Sequence, residues 1–258
     1  MPSLRVNVIS DVHGRVDGLA GAGDGADALI CLGDLISFVD YLDHSRGVMG
    51  SVYGAEAVGT YVAMRSAGRY DESRAYLRDL SDALPGDPAE LKRQAVRRQY
   101  ADVFGALPDP TYITYGNVDL PALWPEYIRP GTHVLDGQAL TVGGVRFGFV
   151  GGGLRTRYGT PYEQSEDDYA AKLAAVGSVD VLCCHIPPDV PDLLYDEVGK
   201  RFERGSAAIL DVIATAGPRY VLFGHVHQPR CSRVTIRDTE CINVGHFRAT
   251  GQPLRLTL

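Results

Sequence analysis

The stretch Val8-Ile9-Ser10-Asp11-Val12-His13 decides the fold class, because it is a short apolar run that ends in metal-binding side chains. A run of this length, bounded by turn residues, is typical of a buried strand in a parallel sheet. Four more apolar runs end in the same way: Leu29–Leu32 before Gly33-Asp34, Tyr112–Tyr115 before Gly116-Asn117, Val181–Cys184 before His185, and Tyr220–Phe223 before Gly224-His225-Val226-His227. Because ligands bind outside the carboxyl ends of the strands in open α/β sheets, these five ends predict one shared site.

The polar residues at the five strand ends form one set of possible metal ligands. The set is Asp11, His13, Asp34, Asn117, His185, His225 and His227. Its Asp-x-His and His-x-His pairs have a spacing that places both side chains on one face of an extended chain. Carboxylate, amide and imidazole ligands without thiolates suit Mn²⁺, Fe or Zn²⁺. Each motif alone is common, but their joint order predicts a site for two divalent metal ions.

The composition is that of a globular protein with an acidic balance of charge. The chain has 258 residues, of which 45% are hydrophobic, and a net charge of −7 at pH 7. This charge argues against a broad interface with nucleic acid. The five cysteines include no Cys-x-x-Cys pair, so we expect reduced and mostly buried thiols. In the absence of an apolar stretch of the signal or membrane-spanning type, we expect a cytoplasmic protein that does not contact membranes.

Strand-like and helical segments alternate at the start of the chain. Strands over 4–10 and 28–33, joined by a short helix over 14–20, predict a βαβ unit. The stretch 37–109 contains no clear strand and predicts a helical insertion. Its helices are predicted over 54–66, 72–83 and 88–105.

Later strands are separated by strong turn signals. Asp136-Gly137 lies between two apolar runs and predicts a tight hairpin, and Gly143-Gly144 predicts a second turn. Parallel units followed by hairpins predict two sheets with helices outside. We therefore expect one domain over residues 1–258, interrupted by the helical insertion.

The order of these motifs resembles that of the calcineurin-like metallophosphoesterases. The matching stretches are Asp11-Val12-His13-Gly14, Gly33-Asp34, Gly116-Asn117, His185 and Gly224-His225-Val226-His227. The resemblance implies an α/β fold, a four-layer α/β/β/α sandwich of two mixed sheets, with two cations at the strand ends. It also implies that Asp11, His13 and His227 hold one cation, that Asn117, His185 and His225 hold the other, and that Asp34 bridges them.

The same resemblance implies a phosphoesterase in which a hydroxide that bridges the cations attacks phosphorus. Mn²⁺ is our first expectation for the cations, with Fe and Zn²⁺ as alternatives, and Asn117 is expected to stabilise charge on the phosphoryl oxygens. One position departs from the pattern, because many members have His directly after this Asn and the present chain has Val118. Val118 cannot protonate a leaving group. We therefore expect a small phosphodiester or activated phosphate ester as substrate, since these depend least on a general acid.

Further candidate residues lie outside the metal motifs. His246 follows a strand-like run and is a possible substitute acid, with an ordinary loop histidine as the alternative. Arg155 follows Gly151-Gly152-Gly153 and is a possible phosphate ligand, with a plain tight turn as the alternative. Tyrosines of the insertion line either a substrate mouth or the contacts between its own helices. They are Tyr41, Tyr53, Tyr61 and Tyr70.

Two other functions stay open at this stage. A protein phosphatase or a nuclease would use the same chemistry, although Val118 speaks against the former and the net charge against the latter. A non-catalytic scaffold is the second alternative, but such proteins usually lose ligands, and all seven are present here. The sequence does not specify the oligomeric state.

Overall fold

A computed structural model describes residues 3–41 and 43–258. Its strands are β1 Arg5–Ile9, β2 Ala28–Cys31, β3 Thr111–Ile113, β4 Thr132–Val134, β5 Gln138–Val142, β6 Val145–Val150, β7 Gly153–Leu154, β8 Glu163–Gln164, β9 Val181–Cys184, β10 Tyr195–Asp196, β11 Arg201–Phe202, β12 Tyr220–Phe223, β13 Arg233–Ile236, β14 Thr239–Asn243 and β15 Leu254–Thr257.

The helices include those predicted for the insertion. They are α1 Gly47–Tyr53, α2 Ala55–Ser66, α3 Tyr70–Asp82, α4 Pro88–Ala106, α5 Glu166–Val176, α6 Pro191–Leu194, α7 Ala207–Thr215 and α8 Phe247–Thr250, with a 3₁₀ helix over Pro121–Glu126. Asp87 caps α4 by accepting the N–H of Ala89, and Pro88 occupies its first turn, where a missing N–H costs nothing. None of the helices in the described ranges has both the length and the hydropathy to cross a bilayer.

Two mixed sheets carry the strands that precede the predicted ligands. The first has the order β15-β1-β2-β3-β4, in which β15 is antiparallel to β1 and the other pairs are parallel. The second has the order β13-β14-β12-β9-β6-β5, in which β13 and β5 are antiparallel edge strands around a parallel centre. Parallel pairing places the carboxyl ends of neighbouring strands at the same edge of each sheet.

Three apolar clusters separate four layers. The cluster between the sheets joins Val8 of β1 to Phe149 of β6. On the outer face of the first sheet, Cys31 packs with Tyr100 of α4, and on that of the second sheet, Cys184 packs with Tyr169 of α5. This arrangement confirms the predicted α/β/β/α sandwich.

The insertion contributes a layer of this sandwich. Buried side chains of α1 and α4, such as Val48 and Val96, belong to the same cluster as the first sheet. Helices α2 and α3 bury only Val58 and Ser73. The interpretation of 37–109 as an insertion within one domain over 1–258 stays a prediction.

Two local predictions are wrong. Residues 14–20 form turns instead of a helix, because Gly14 and Gly18 adopt positive φ angles of 75° and 80°. Asp136-Gly137 does not close a hairpin, since β4 pairs with β3 in the first sheet and β5 pairs with β6 in the second. The turn therefore crosses between sheets, and the Asp136 side chain accepts the N–H of Gly151.

Candidate metal centre

All seven predicted ligands follow the carboxyl ends of strands, four of them in the first sheet and three in the second. Asp11 and His13 follow β1, Asp34 follows β2, Asn117 follows β3, His185 follows β9, and His225 and His227 follow β12. Because both sheets present these ends at one side of the sandwich, the side chains meet across the seam between the sheets.

Four of the ligands have a left-handed backbone, which is rare outside glycine. The φ angles are 57° at Asp11, 43° at His13, 54° at Asp34 and 67° at His225. Such conformations cost about 1–3 kcal/mol each and persist where the surrounding structure enforces them, often at functional sites. Among the described residues, four of the six non-glycine residues with a positive φ angle therefore lie at this edge, and the other two are Lys200 and Arg237.

Glycines allow the strand ends to approach one another closely. A Cβ atom on Gly33 would lie 1.9 Å from the backbone nitrogen of Gly116, and one on Gly116 would lie 2.0 Å from Oδ1 of Asp34. Real Cβ atoms do not tolerate such distances, so only glycine allows this contact between the ends of β2 and β3.

His13, His227 and Asp11 form one half of the centre. His13 Nδ1 lies 3.0 Å from the carbonyl oxygen of Ile36, which requires a hydrogen on Nδ1 and leaves the lone pair of a neutral ring on Nε2. That Nε2 atom lies 3.1 Å from Nε2 of His227, which in turn lies 3.4 Å from Oδ1 of Asp11. Oδ1 of Asp11 is buried and has no hydrogen-bond donor among the described residues.

Asn117, His185 and His225 form the other half. His185 Nδ1 lies 2.9 Å from the carbonyl oxygen of Leu32, so its Nε2 lone pair faces Oδ1 of Asn117 at 3.0 Å when the ring is neutral. The same amide oxygen lies 3.0 Å from Nδ1 of His225. Its amide nitrogen donates to the Thr160 hydroxyl at 3.0 Å, which fixes the oxygen toward the histidines.

Asp34 lies between the two halves. Its Oδ2 atom is 3.8 Å from Nε2 of His13 and 3.5 Å from Nε2 of His185. Its Oδ1 atom accepts the backbone N–H of Val118 at 2.9 Å. This position suits a carboxylate that bridges two ions.

The donor set fits divalent cations. Lone pairs of His185 and Asn117 that face each other at 3.0 Å need a proton or a cation between them, and the buried Asp11 oxygen needs a positive partner. Burial opposes a charge on His185, but the charge of Asp34 and a hydrogen bond to it raise the pKa of His185 to about 9. The Asp34 carboxylate thus favours positive charge at His185, whereas burial lowers the pKa of His13 and of His225.

Asp119 is a supporting residue that the sequence motifs did not identify. Its buried carboxylate accepts the backbone N–H groups of Asp34, Leu35 and Gly116 at 2.8–3.0 Å. Burial and then the negative charge of Asp34 raise its pKa to about 7, whereas the N–H donors act in the opposite direction. The feature of the sequence that could have identified Asp119 is its position two residues after Asn117, in the run Gly116-Asn117-Val118-Asp119.

His246 lies at the rim of the first half. Its ring stacks on that of His227 with centroids 3.9 Å apart, and it meets the ring of His13 edge-on at 5.7 Å. Both ring nitrogens are buried without a hydrogen-bond partner among the described residues. Burial and the neighbouring charge of His227 lower its pKa to about 3. The structure therefore brings His246 to the centre, while its role as an acid stays a prediction.

Arg155 lies at the surface, directly after the short strand β7. Its side chain is exposed, and its backbone N–H donates to Gln164. A phosphate contact by Arg155 stays a prediction.

The comparisons with known proteins point to one family. A family model described as Metallophos, calcineurin-like phosphoesterase, matches residues 4–229. No curated protein matches the chain. Among solved structures, TT1561 of Thermus thermophilus is 14% identical with a TM-score of 0.51 over 99% of both chains, which shows a shared fold.

Two further solved structures match less closely. AQ665 of Aquifex aeolicus, a protein of unknown function, is 12% identical with a TM-score of 0.37, over 98% of this chain and 95% of its own. GAP50, the anchor in the inner membrane complex of Plasmodium, is 13% identical with a TM-score of 0.40, over 94% of this chain and 71% of its own.

Proposed function

Because this chain belongs to the calcineurin-like phosphoesterases, a family of metal-dependent phosphoric ester hydrolases, we propose that it uses two divalent cations to hydrolyse a small phosphodiester or activated phosphate ester. The observation that carries the proposal is the convergence of imidazole nitrogen and amide oxygen atoms from both sheets on either side of the Asp34 carboxylate. A scaffold would have no need to keep such an arrangement.

The proposed ligand sets follow the two halves of the centre. Asp11, His13 and His227 would hold one ion, whereas Asn117, His185 and His225 would hold the other, and Asp34 would contribute to both sets. Divalent ions in this place would supply a Lewis acid that lowers the pKa of water and offsets charge on phosphoryl oxygens. Backbone carbonyl oxygens of Ile36 and Leu32 bind Nδ1 of His13 and of His185 and so orient both rings. Hydrogen bonds of this kind to the second nitrogen of a histidine ligand support metal affinity.

We infer the substrate class from the absence of a general acid at Val118. Its side chain has no acidic proton to donate, and its backbone N–H is already bound to Asp34. Loss of a general acid costs about 10²–10⁴ in rate where the leaving group is basic and little where it is acidic. Phosphodiesters with acidic alcohols, aryl esters and phosphoanhydrides are therefore the substrates that this centre suits.

Metal content and substrate preference test the proposal together. We expect the purified protein to bind about two equivalents of divalent metal and to hydrolyse bis(4-nitrophenyl) phosphate faster than glycerol phosphate. Readdition of Mn²⁺, Fe²⁺ or Zn²⁺ to the chelated protein identifies the effective ion, for which we propose Mn²⁺. Faster hydrolysis of glycerol phosphate would overturn the proposed substrate class.

Asp34→Asn provides the mechanistic control. We expect it to lose at least about 10²-fold in kcat and to bind less metal, since the bridging carboxylate is gone. Asp79→Asn, on the exposed face of α3, should change neither quantity. Wild-type activity in Asp34→Asn would remove the proposed centre.

We propose that His246 assists the departing alcohol through the N–H of its neutral ring, since its lowered pKa leaves the ring uncharged near neutral pH. Its ring lies against His227 and His13, at the rim of the first half. His246→Gln is expected to slow esters of basic alcohols more than aryl esters, whereas an equal loss for both would contradict this role.

A further inference from the structure

Three separate segments bring arginine and tyrosine side chains together beside the metal centre. We call this group the Arg–Tyr cluster, and its members are Tyr61, Arg65, Tyr70, Arg157, Tyr158 and Arg201. The guanidinium carbon of Arg65 lies 5.2 Å from the ring centre of Tyr70 and 5.6 Å from that of Tyr158. The corresponding distances from Arg157 to the same two rings are 5.3 Å and 5.2 Å.

A third segment of the chain contributes Arg201 to the cluster. Its guanidinium carbon lies 5.6 Å from the ring centre of Tyr158, and it belongs to β11. Tyr61, Arg65 and Tyr70 belong to α2 and α3 of the insertion, and Arg157 and Tyr158 to the loop between β7 and β8. No single motif in the sequence spans these segments.

The cluster adjoins the half of the centre that contains Asn117. The loop of Tyr158 continues to Thr160, whose hydroxyl accepts the amide of Asn117 at 3.0 Å. Arg201 pairs with Glu203 at 2.6 Å, and the charge of Glu203 acts on His225. A substrate whose phosphorus lies at the metal ligands can therefore extend onto the cluster.

The charges of the cluster are largely unbalanced. Within residues 3–41 and 43–258, Arg201 has a carboxylate partner, but no ion pair includes Arg65 or Arg157. Both guanidinium groups lie against ring faces, which orient them while leaving donors for an anion. In a protein with a net charge of −7, this local excess of positive charge favours an anionic ligand.

The cluster also exposes flat aromatic surface. Tyr70 is 37% exposed and Tyr158 39%, and both are among the few large apolar side chains exposed in the described residues. Two further exposed aromatic side chains lie next to the cluster. Tyr41 interacts electrostatically with Arg65, and Phe202 directly follows Arg201 in the chain. Exposed rings of this kind stack on planar groups of a ligand.

We propose that the Arg–Tyr cluster binds the part of the substrate beyond the reacting phosphorus, and that this part carries a second phosphate and a planar ring. Nucleoside polyphosphates are the chemical class that has both features. The inference rests on the proposed phosphoesterase function and assigns the insertion a role in substrate choice. Arg65 and Arg157 contact the second phosphate, and Tyr158 contacts the ring.

Three probes separate the two features of the ligand. ATP carries phosphates and a ring, inorganic tripolyphosphate carries phosphates alone, and bis(4-nitrophenyl) phosphate carries rings without a second phosphate. We expect Arg157→Gln and Arg65→Gln each to raise KM for ATP and tripolyphosphate about tenfold. KM for the aryl diester should change less than about twofold. Arg74→Gln, an exposed arginine of α3 paired with Asp71, is the matched control and should change none of these values.

Tyr158 tests the aromatic contact. Tyr158→Leu should raise KM for ATP about tenfold without affecting tripolyphosphate, whereas Tyr158→Phe should retain the wild-type value because the ring face remains. Equal KM values for ATP in wild type, Tyr158→Leu and the two arginine variants would overturn the inference.

Equilibrium binding separates this inference from the proposed function. With Asp34→Asn as background, adding Arg157→Gln should weaken ATP binding about tenfold in calorimetry, irrespective of turnover. Hydrolysis of the aryl diester together with ATP binding that is insensitive to Arg157 would overturn the cluster and leave the proposed function standing. Arg157-dependent ATP binding without hydrolysis of any probe would contradict the proposed function alone.

Discussion

The strand ends of the two sheets and the helices α2 and α3 of the insertion hold their polar residues in opposite ways. At the strand ends, Asp11 and Asp34 are buried, have left-handed backbones and accept backbone N–H groups from the segments after β12 and β3. On α3, charged residues are exposed and pair within one turn, as Arg74 does with Asp71. Exposed pairs of this kind contribute little stability. The difference shows that strain and burial gather where the metal chemistry is proposed, whereas the insertion is free to present side chains to a substrate.

The largest expected effect comes from filling the contact between strand ends. In Gly116→Ala, the new Cβ would lie 2.0 Å from Oδ1 and 2.2 Å from the backbone nitrogen of Asp34. We expect the free energy of unfolding in urea to fall by more than about 3 kcal/mol, because the loops of β2 and β3 must separate. Wild-type stability and metal content in this variant would show that the strand ends are not rigid.

A smaller loss is expected when the support of Asp34 is altered. Asp119→Asn places an amide group where a carboxylate accepts three backbone N–H groups, so at least one donor is left unsatisfied. We expect a loss of about 2–4 kcal/mol in the free energy of unfolding and weaker metal binding. Asp79→Asn on α3 is the matched control and should lie within about 0.5 kcal/mol of wild type. Equal stabilities of the two variants would contradict a supporting role for Asp119.

Removal of the metal should destabilise the strand ends and leave the stability of α2 and α3 unchanged. At a free metal concentration about 100 times Kd, chelation removes about 2.7 kcal/mol of stabilisation. Hydrogen exchange should become faster in the segments after β9 and β12 and should not change in α2 and α3. Uniform acceleration across the chain would contradict a stabilisation localised at the strand ends.

The smallest expected effect is a gain of stability in the insertion. Gly105 lies near the end of α4, its φ angle is not positive, and a Cβ there would meet no atom within 4 Å. We expect Gly105→Ala to raise the free energy of unfolding by about 0.5 kcal/mol without any change in metal content. A destabilisation comparable to that of Gly116→Ala would remove the contrast between the regions.

The strand ends were predictable from sequence because each combines a short apolar run, a glycine or a small turn, and a polar residue of metal-ligand type. Seven side chains identified in this way do meet, since parallel strands end at a common edge. The helices of the insertion were also largely predictable, as Asp87 and Pro88 mark the start of α4. Helix α1 was missed because Gly47 and Gly50 lower the helix propensity of that stretch.

Other features depend on contacts that a linear pattern does not contain. The signal Asp136-Gly137 is the same for a hairpin and for a crossover between sheets, and only the pairing of β4 with β3 decides between them. Asp119 gains its importance from N–H groups that arrive from another strand end. The Arg–Tyr cluster requires three segments whose spatial order follows from the completed fold.

The distribution of the ligands over both sheets also orders events during synthesis of the chain. Asp11 and Asp34 leave the ribosome before β9 and β12 are made, and β15, which pairs with β1, follows β12 along the chain. A nascent chain arrested after β9 would therefore offer carboxylates without His225 and His227. We therefore expect the proposed cations to find their full ligand set only after β12 has been made, so that a shortage of metal would lower the activity of the folded protein and not the amount that is synthesised.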